Sequence, residues 1–399
     1  MMTGVKQFHV ASDAGIVRDV IVQQPIGASR QNGTAARGGA KSDTAVAQFE
    51  ALVGALESAG ITVFRFDELL AETLKFADAR DWLLERRVAD YGFAVPVRDA
   101  ILAWLNGLPR AQLAACLTQG VSVSRLPAAI RDKLGDIGFQ LLPPLPEMAR
   151  LRHFARWIGG GVVLGAGTGG QGRAVSVNMS AVLHFSPLFD EAHFEFWLAS
   201  DGSDAQWPPI DGHDVAMLGP STFLAAVTAN TTVDALRRLA AALHRHGIAT
   251  QMLCLDLRQT RCESLDDCFV LLDRDLALVD RPAMEAAPAF LIRPDVRPGV
   301  SSLTPCPVPV LEQLAGMVKP QRLRVVDASR AADAAARDAL AALHPLVLSP
   351  GKVLAFAEHA AAFAELERSG IEIAVAVRGD ALCEVGCGPR SLVSVVSAR

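Results

Sequence analysis

Three stretches of the chain repeat one arrangement of apolar and polar positions. An Ala/Leu-rich amphipathic run reaches a Gly-Ile pair, and an apolar run then follows. The arrangement spans residues 55–60 into 61–66, residues 239–247 into 248–255, and residues 361–370 into 371–377. Glycine supplies the left-handed residue that closes a helix, and a β-branched residue then opens a strand. Any α/β protein can reuse this stop signal, but three copies spread along the chain predict a repeated βα architecture.

Residues 76–91, 97–105 and 110–119 instead carry helical apolar spacing with no strand between them. Gly107, Pro109 and Gly120 break the run, and Pro143, Pro144 and Pro146 close it. The pattern predicts an all-helical insertion, residues 75–150, in an α/β domain formed by residues 1–74 and 151–399. Beyond it lies a glycine-dense stretch, residues 159–172, followed by segments that read as strands at 173–178 and 214–218. Residues 328–343 are Ala-rich and amphipathic, which predicts a surface helix.

Composition narrows the function. A chain of 399 residues with 51% apolar content can bury a substantial core, and it suits one large domain or a domain with an insertion. The formal charge of −5 includes no basic block, which argues against nucleic acid and anionic membrane partners. The first ten residues lack the apolar segment of a signal peptide, and no run approaches the roughly 20 apolar residues of a membrane span. Seven cysteines, an odd number without repeated pair spacing, predict free thiols in a reducing compartment. The expectation is a soluble, cytoplasmic protein.

Several local signals have ordinary explanations. Gly165, Gly167 and Gly170 satisfy G-x-G-x-x-G after the apolar residues 162–164. A dinucleotide site needs a helix to begin at the third glycine, whereas residues 173–177 read as a strand, so a loop between strands is expected. Cys254, Cys262 and Cys268 fit no tetrahedral zinc spacing and read as core residues. His244 and His246 sit where cations offset a helix dipole. Arg378-Gly379-Asp380 reads as a turn.

Four segments carry a family resemblance. Residues 12–22, beginning Ser12-Asp13-Ala14-Gly15, are similar to the opening strand of arginine deiminases, and residues 67–74 follow at a fitting distance. After the insertion, Asp211-Gly212-His213-Asp214 resembles the family's Glu-Gly-Gly-Asp segment. Near the end, Gly386-Cys387-Gly388-Pro389-Arg390-Ser391 resembles the Gly-Gly-Pro-Arg-Cys loop. The resemblance spans nearly the whole chain. It implies the pentein fold, a five-bladed α/β propeller of pseudo-repeated ββαβ units around a polar channel, and it leans towards a homo-oligomer.

In that family a cysteine thiolate attacks the guanidinium carbon, a histidine handles protons, and two carboxylates grip the guanidinium nitrogens. This sequence departs from the set at almost every position. Ser391 stands in place of the cysteine, and a serine hydroxyl is far less ionised than a thiol. Ser264 replaces the histidine in a segment that keeps Asp266. In Phe154-Ala155-Arg156-Trp157, similar to Phe-Thr-Arg-Asp, Trp157 takes the position of the first aspartate. Asp211 shortens the glutamate, and Asn230 loses the charge of a carboxylate-binding arginine, while Arg173 still faces a substrate carboxylate in this alignment.

The resemblance therefore implies a ligand site of Phe154, Trp157, Arg173, Asp211, His213, Asn230, Asp266 and Arg390. The expected ligand is arginine or a related amino acid, with ordinary deimination lost. No cofactor or metal site is expected. Two alternatives stay open. Cys387 can act as a relocated thiol in an amidine hydrolase, and His213 can serve as a base, or as a metal or haem ligand in a different chemistry. A binding protein that partners an active relative is the competing class.

Overall fold

The computed structural model describes residues 7–26, 39–89, 92–134, 140–165, 169–198, 208–295, 301–318, 322–331, 333–383 and 388–399. The chain opens with β1 (Val17–Val22), the helix Gly39–Ser58 and β2 (Thr62–Arg65), which lies parallel to β1. The insertion contributes β3 (Val121–Ser122) and β4 (Gln140–Leu142). One order then recurs four times: an antiparallel strand pair, a helix crossover, and a third strand parallel to the second. The first such unit is β5 (Ala155–Ile158), β6 (Gly161–Leu164), helix Gly169–Phe185 and β7 (Glu195–Leu198).

The second unit is β8 (Val215–Gly219), β9 (Ser221–Val227), helix Val233–Arg245 and β10 (Ala249–Asp256). The third starts with β11 (Phe269–Asp273) and β12 (Leu276–Val279). It then detours through β13 (Ala289–Pro294) and β14 (Ser301–Pro305), which extend the second unit's sheet, before helix Val310–Met317 leads to β15 (Arg324–Asp327). The fourth is β16 (Leu346–Ser349), β17 (Lys352–Phe356), helix Phe363–Arg368 and β18 (Glu372–Val377). Finally β19 (Val393–Ala398) returns antiparallel to β1. That return gives the opening sheet the same make-up as the other four, so the two chain ends complete one unit together.

The three predicted helix stops fall where expected. Gly60, Gly247 and Gly370 have φ of 79°, 69° and 92°, each just before a strand. This left-handed region is open to glycine and costly to residues with a Cβ. Helix Val233–Arg245 shows why these segments fold. Thr232 caps its first turn by accepting from the Ala235 amide, and Leu236, Leu239, Ala240 and Leu243 bury one face. Residues 214–218 form β8 apart from a one-residue offset, and the Ala-rich 328–343 stretch holds the helix Ala334–Ala341.

Two expectations are corrected. The insertion is not all-helical, because β3 and β4 form a short antiparallel ribbon within it. Residues 173–178 are not a strand; they belong to helix Gly169–Phe185. That helix is buried on nearly every side from Val175 to Leu183. Burial all round erases the amphipathic period, and the alternating Val175 and Val177 imitate a half-buried strand. Leu83, Leu84, Ile101, Leu113 and Leu117 of the insertion share one apolar cluster with Val175, Val182, Phe154 and Trp157. The insertion is thus packed directly onto this helix.

The helix does begin within the glycine-rich stretch, although residues 166–168 lie outside the described residues. The sequence-based objection to a dinucleotide loop therefore fails. However, the same strand–helix–parallel strand crossover recurs in the other sheets without such glycines, so the repeat accounts for the helix. No helix among the described residues is long and apolar enough to cross a membrane.

Candidate functional site

Turns at the ends of strands from different sheets bring charged side chains together. Asp13 precedes β1, Arg152 lies in the short helix Leu151–Phe154, Arg156 in β5, Asp266 in the turn Leu265–Asp267, and Arg390 in the turn Pro389–Leu392. All five side chains are at most 5% exposed. Arg152 Nε donates to one Asp266 oxygen at 3.0 Å and Arg390 Nε to the other at 3.1 Å. Arg390 also donates to Asp13 at 2.7 Å, and Arg156 donates to Asp13 and, at 3.2 Å, to the Val215 carbonyl. Burial would raise both carboxyls, but the arginines outweigh it and hold Asp13 and Asp266 below the usual carboxylate range. Burial lowers the Arg156 guanidinium to about 10.

Next to this ionic cluster opens a cavity of about 240 Å³. Its wall includes Asp211, His213, Asn230, Ser264, Asp266 and Ser391, all singled out in the sequence. These residues come from four separate stretches of chain. His153, His344, Arg150, Glu263 and Asp267 join them. Carboxylates outnumber the single arginine, so the cavity favours a cationic group.

Asp211 is the polar centre of the wall. One of its oxygens lies 2.6 Å from His153 Nδ1; the other lies 3.2 Å from His213 Nδ1 and accepts from the His213 amide at 2.8 Å. Burial opposes its ionisation, yet the two histidines, His213 first, hold it well below the ordinary range. Gly212 makes the turn possible, since a Cβ there would sit 1.9 Å from the Arg152 carbonyl oxygen. Asp214 accepts from Thr228 Oγ1 and Thr231 Oγ1 at 2.6 Å each, and from the Leu265 amide at 3.0 Å. It thereby ties the Asn230 and Ser264 loops to the Asp211 turn. Burial and the neighbouring Asp211 push its carboxyl well up.

Other expected ligand contacts are corrected. Trp157 is 1% exposed and packs against Phe8, Phe189 and Phe194 in the core. Strand alternation explains the error, because Arg156 faces the ionic cluster and its neighbour Trp157 must face the other way. Phe154 is also a core residue. Asp266 does border the cavity, but both its oxygens are taken by Arg152 and Arg390, so Arg390 serves as its counter-ion and does not line the wall. Arg173 sits half-buried on helix Gly169–Phe185 and does not border the cavity. Cys387 lies outside the described residues.

The site expected from the sequence included neither His153 nor His344. His153 lies in the short helix Leu151–Phe154, and its partner Asp211 is remote in sequence. His344 precedes Pro345 and holds φ at 33°, a left-handed value rare for a residue with a side chain. Burial lowers its imidazole pKa, against the pull of Asp267, whose carboxylate lies 3.6 Å away.

The recurring ββαβ order, with its ends joined and polar turns gathered at one cavity, is matched by known proteins. The family model for arginine deiminase matches residues 41–397. The chain belongs to the arginine deiminase family. An arginine deiminase from Mycobacterium avium is 27% identical over 349 residues, which cover 84% of this chain and 83% of that protein. Two solved structures share the pentein fold. SxtG, an amidinotransferase from Microseira wollei, superposes with a TM-score of 0.52 at 12% identity, covering 98% of this chain and 97% of its own. DDAH from Pseudomonas aeruginosa, complexed with citrulline, gives 0.51 at 10% identity, covering 95% and 99%.

Proposed function

We propose that this protein binds arginine or a related amino acid in the Asp211 cavity and does not carry out ordinary deimination. The observation that carries this reading is the make-up of the wall. Asp211, Glu263 and Asp267 offer anionic surface to a guanidinium, whereas Ser391 and Ser264 stand where the resemblance puts the nucleophile and the proton carrier. Asp266 no longer serves as a second grip, because its arginines already satisfy it. The solved relatives include one complexed with citrulline, an amino acid of the proposed size and shape.

The scaffold suits this role if the five like sheets close around a central channel as a five-bladed propeller. We include that arrangement, a homo-oligomeric state and the cytoplasmic location in the proposal. The decisive substitution is Asp211→Asn. Loss of one charge-assisted contact to a cation weakens binding by about 1.5–3 kcal/mol, or roughly tenfold or more. Calorimetric titration of L-arginine reads this directly, and unchanged affinity would remove Asp211 from the ligand site.

A second reading, enzymic activity with altered chemistry, draws on the convergence of His153 and His213 on Asp211. The version of it that uses Cys387 is tested separately. Alkylating that thiol with no loss of a measured amidine turnover rules it out.

A further inference from the structure

His153, Asp211 and His213 each present a donor atom within 4.8 Å of the other two. A buried carboxylate that already accepts the His213 amide, on a residue whose own amide donates to Thr231 Oγ1, does not need two imidazoles for its own satisfaction. A second observation points outward. His213 Nε2 is buried with no hydrogen-bond partner, on a side chain 9% exposed. Leaving such an atom unpaired costs about 1–3 kcal/mol, so the ring has a second nitrogen, besides the Nδ1 beside Asp211, to offer a ligand.

We propose that His153, Asp211 and His213 form a binding site for one borderline divalent transition-metal ion of the zinc or cobalt type. Two imidazole nitrogens and one carboxylate oxygen are the donor set that such ions take, in preference to the all-oxygen sets of calcium and magnesium. Three protein donors leave coordination positions free, and the adjoining cavity of about 240 Å³ gives those positions access to water or a ligand. The remaining wall supports a cation, since Glu263 and Asp267 face the same space with one arginine, Arg150. The turn is also built to hold the donors still. Gly212 seats it against the Arg152 carbonyl, and Asp214 ties it to the 228–231 loop and to Leu265. The sequence hid the site, because His153 and His213 are sixty positions apart and no metal spacing exists to recognise.

The inference shares a pocket with the proposed amino-acid site but does not depend on it. The test is therefore run without amino acid, on the full chain, freed of any polyhistidine tag and stripped with a chelator. Cobalt(II) is titrated while visible absorbance is followed, with zinc(II) in competition. The expected result is saturation at one ion per chain, with ligand-field bands in the visible that zinc abolishes. His153→Asn and His213→Asn should each weaken affinity by more than about 100-fold, whereas His9→Asn, at an exposed position, leaves it unchanged. X-ray absorption of the cobalt-loaded wild-type protein should show two imidazoles, a readout that survives if a variant misfolds. Absence of binding, affinity indifferent to His153 and His213, or a spectrum without imidazole would each overturn the site. Arginine affinity measured in the stripped protein separates failure of this inference from failure of the amino-acid reading.

Discussion

Asp13 shows how single residues in this protein are tied to their neighbours. It sits beside three buried arginines, and with Asp266 it balances all but one of their charges. Asp13→Asn leaves three guanidinium groups against one carboxylate, a state that costs about 3–5 kcal/mol for a broken buried pair. Urea denaturation should show that loss or an unfolded chain, and a change below 1 kcal/mol would contradict the assignment. The pH dependence has a definite sign. Asp13, Asp266 and Asp211 are held below their unfolded values, so their contribution is present above about pH 4 and is lost as pH falls through their folded values. Asp214 is held up and works the other way, adding stability as pH falls from its raised folded value to about 4. Urea midpoints should thus drop as pH falls below about 4, and a flat profile there would refute the paired carboxylates. Residue identity was only partly legible here. Asp211, His213, Asn230, Ser264 and Ser391 were found through motif resemblance, yet Trp157 was misplaced because a motif does not say which way its substitute faces.

At the scale of elements, glycine was the most readable signal and continuous burial the least. Gly60, Gly247 and Gly370 are fixed by backbone conformation alone, which a short sequence window reveals. Helix Gly169–Phe185 depends on what surrounds it, since the insertion covers one side and the sheet of β5, β6 and β7 another; no local period survives. The same contrast separates two substitutions. Gly247→Ala places a Cβ in a left-handed position that is otherwise open, costing about 1–2 kcal/mol and leaving the cavity intact. Gly212→Ala forces the Asp211–His213 turn off the Arg152 carbonyl and should abolish ligand binding. Paired denaturation and binding measurements check both; equal effects on binding would undo the distinction.

For the whole molecule, order along the chain was more informative than any motif. The repeated helix stop predicted a repeated βα plan, and five like sheets are present among the described residues, one joining β19 to β1. Long-range pairings such as His153 with Asp211 were not legible, because contacts between turns of different sheets leave no pattern in a linear sequence. The proposed function keeps the family scaffold with its reacting groups replaced, which separates binding from turnover. The most direct test of that separation is a calorimetric titration of L-arginine at millimolar range, with citrulline and ammonia assayed in the same cell. Saturable heat that ends with mixing, and neither product, is the predicted result. Heat that persists as citrulline and ammonia accumulate would contradict it and show an active deiminase.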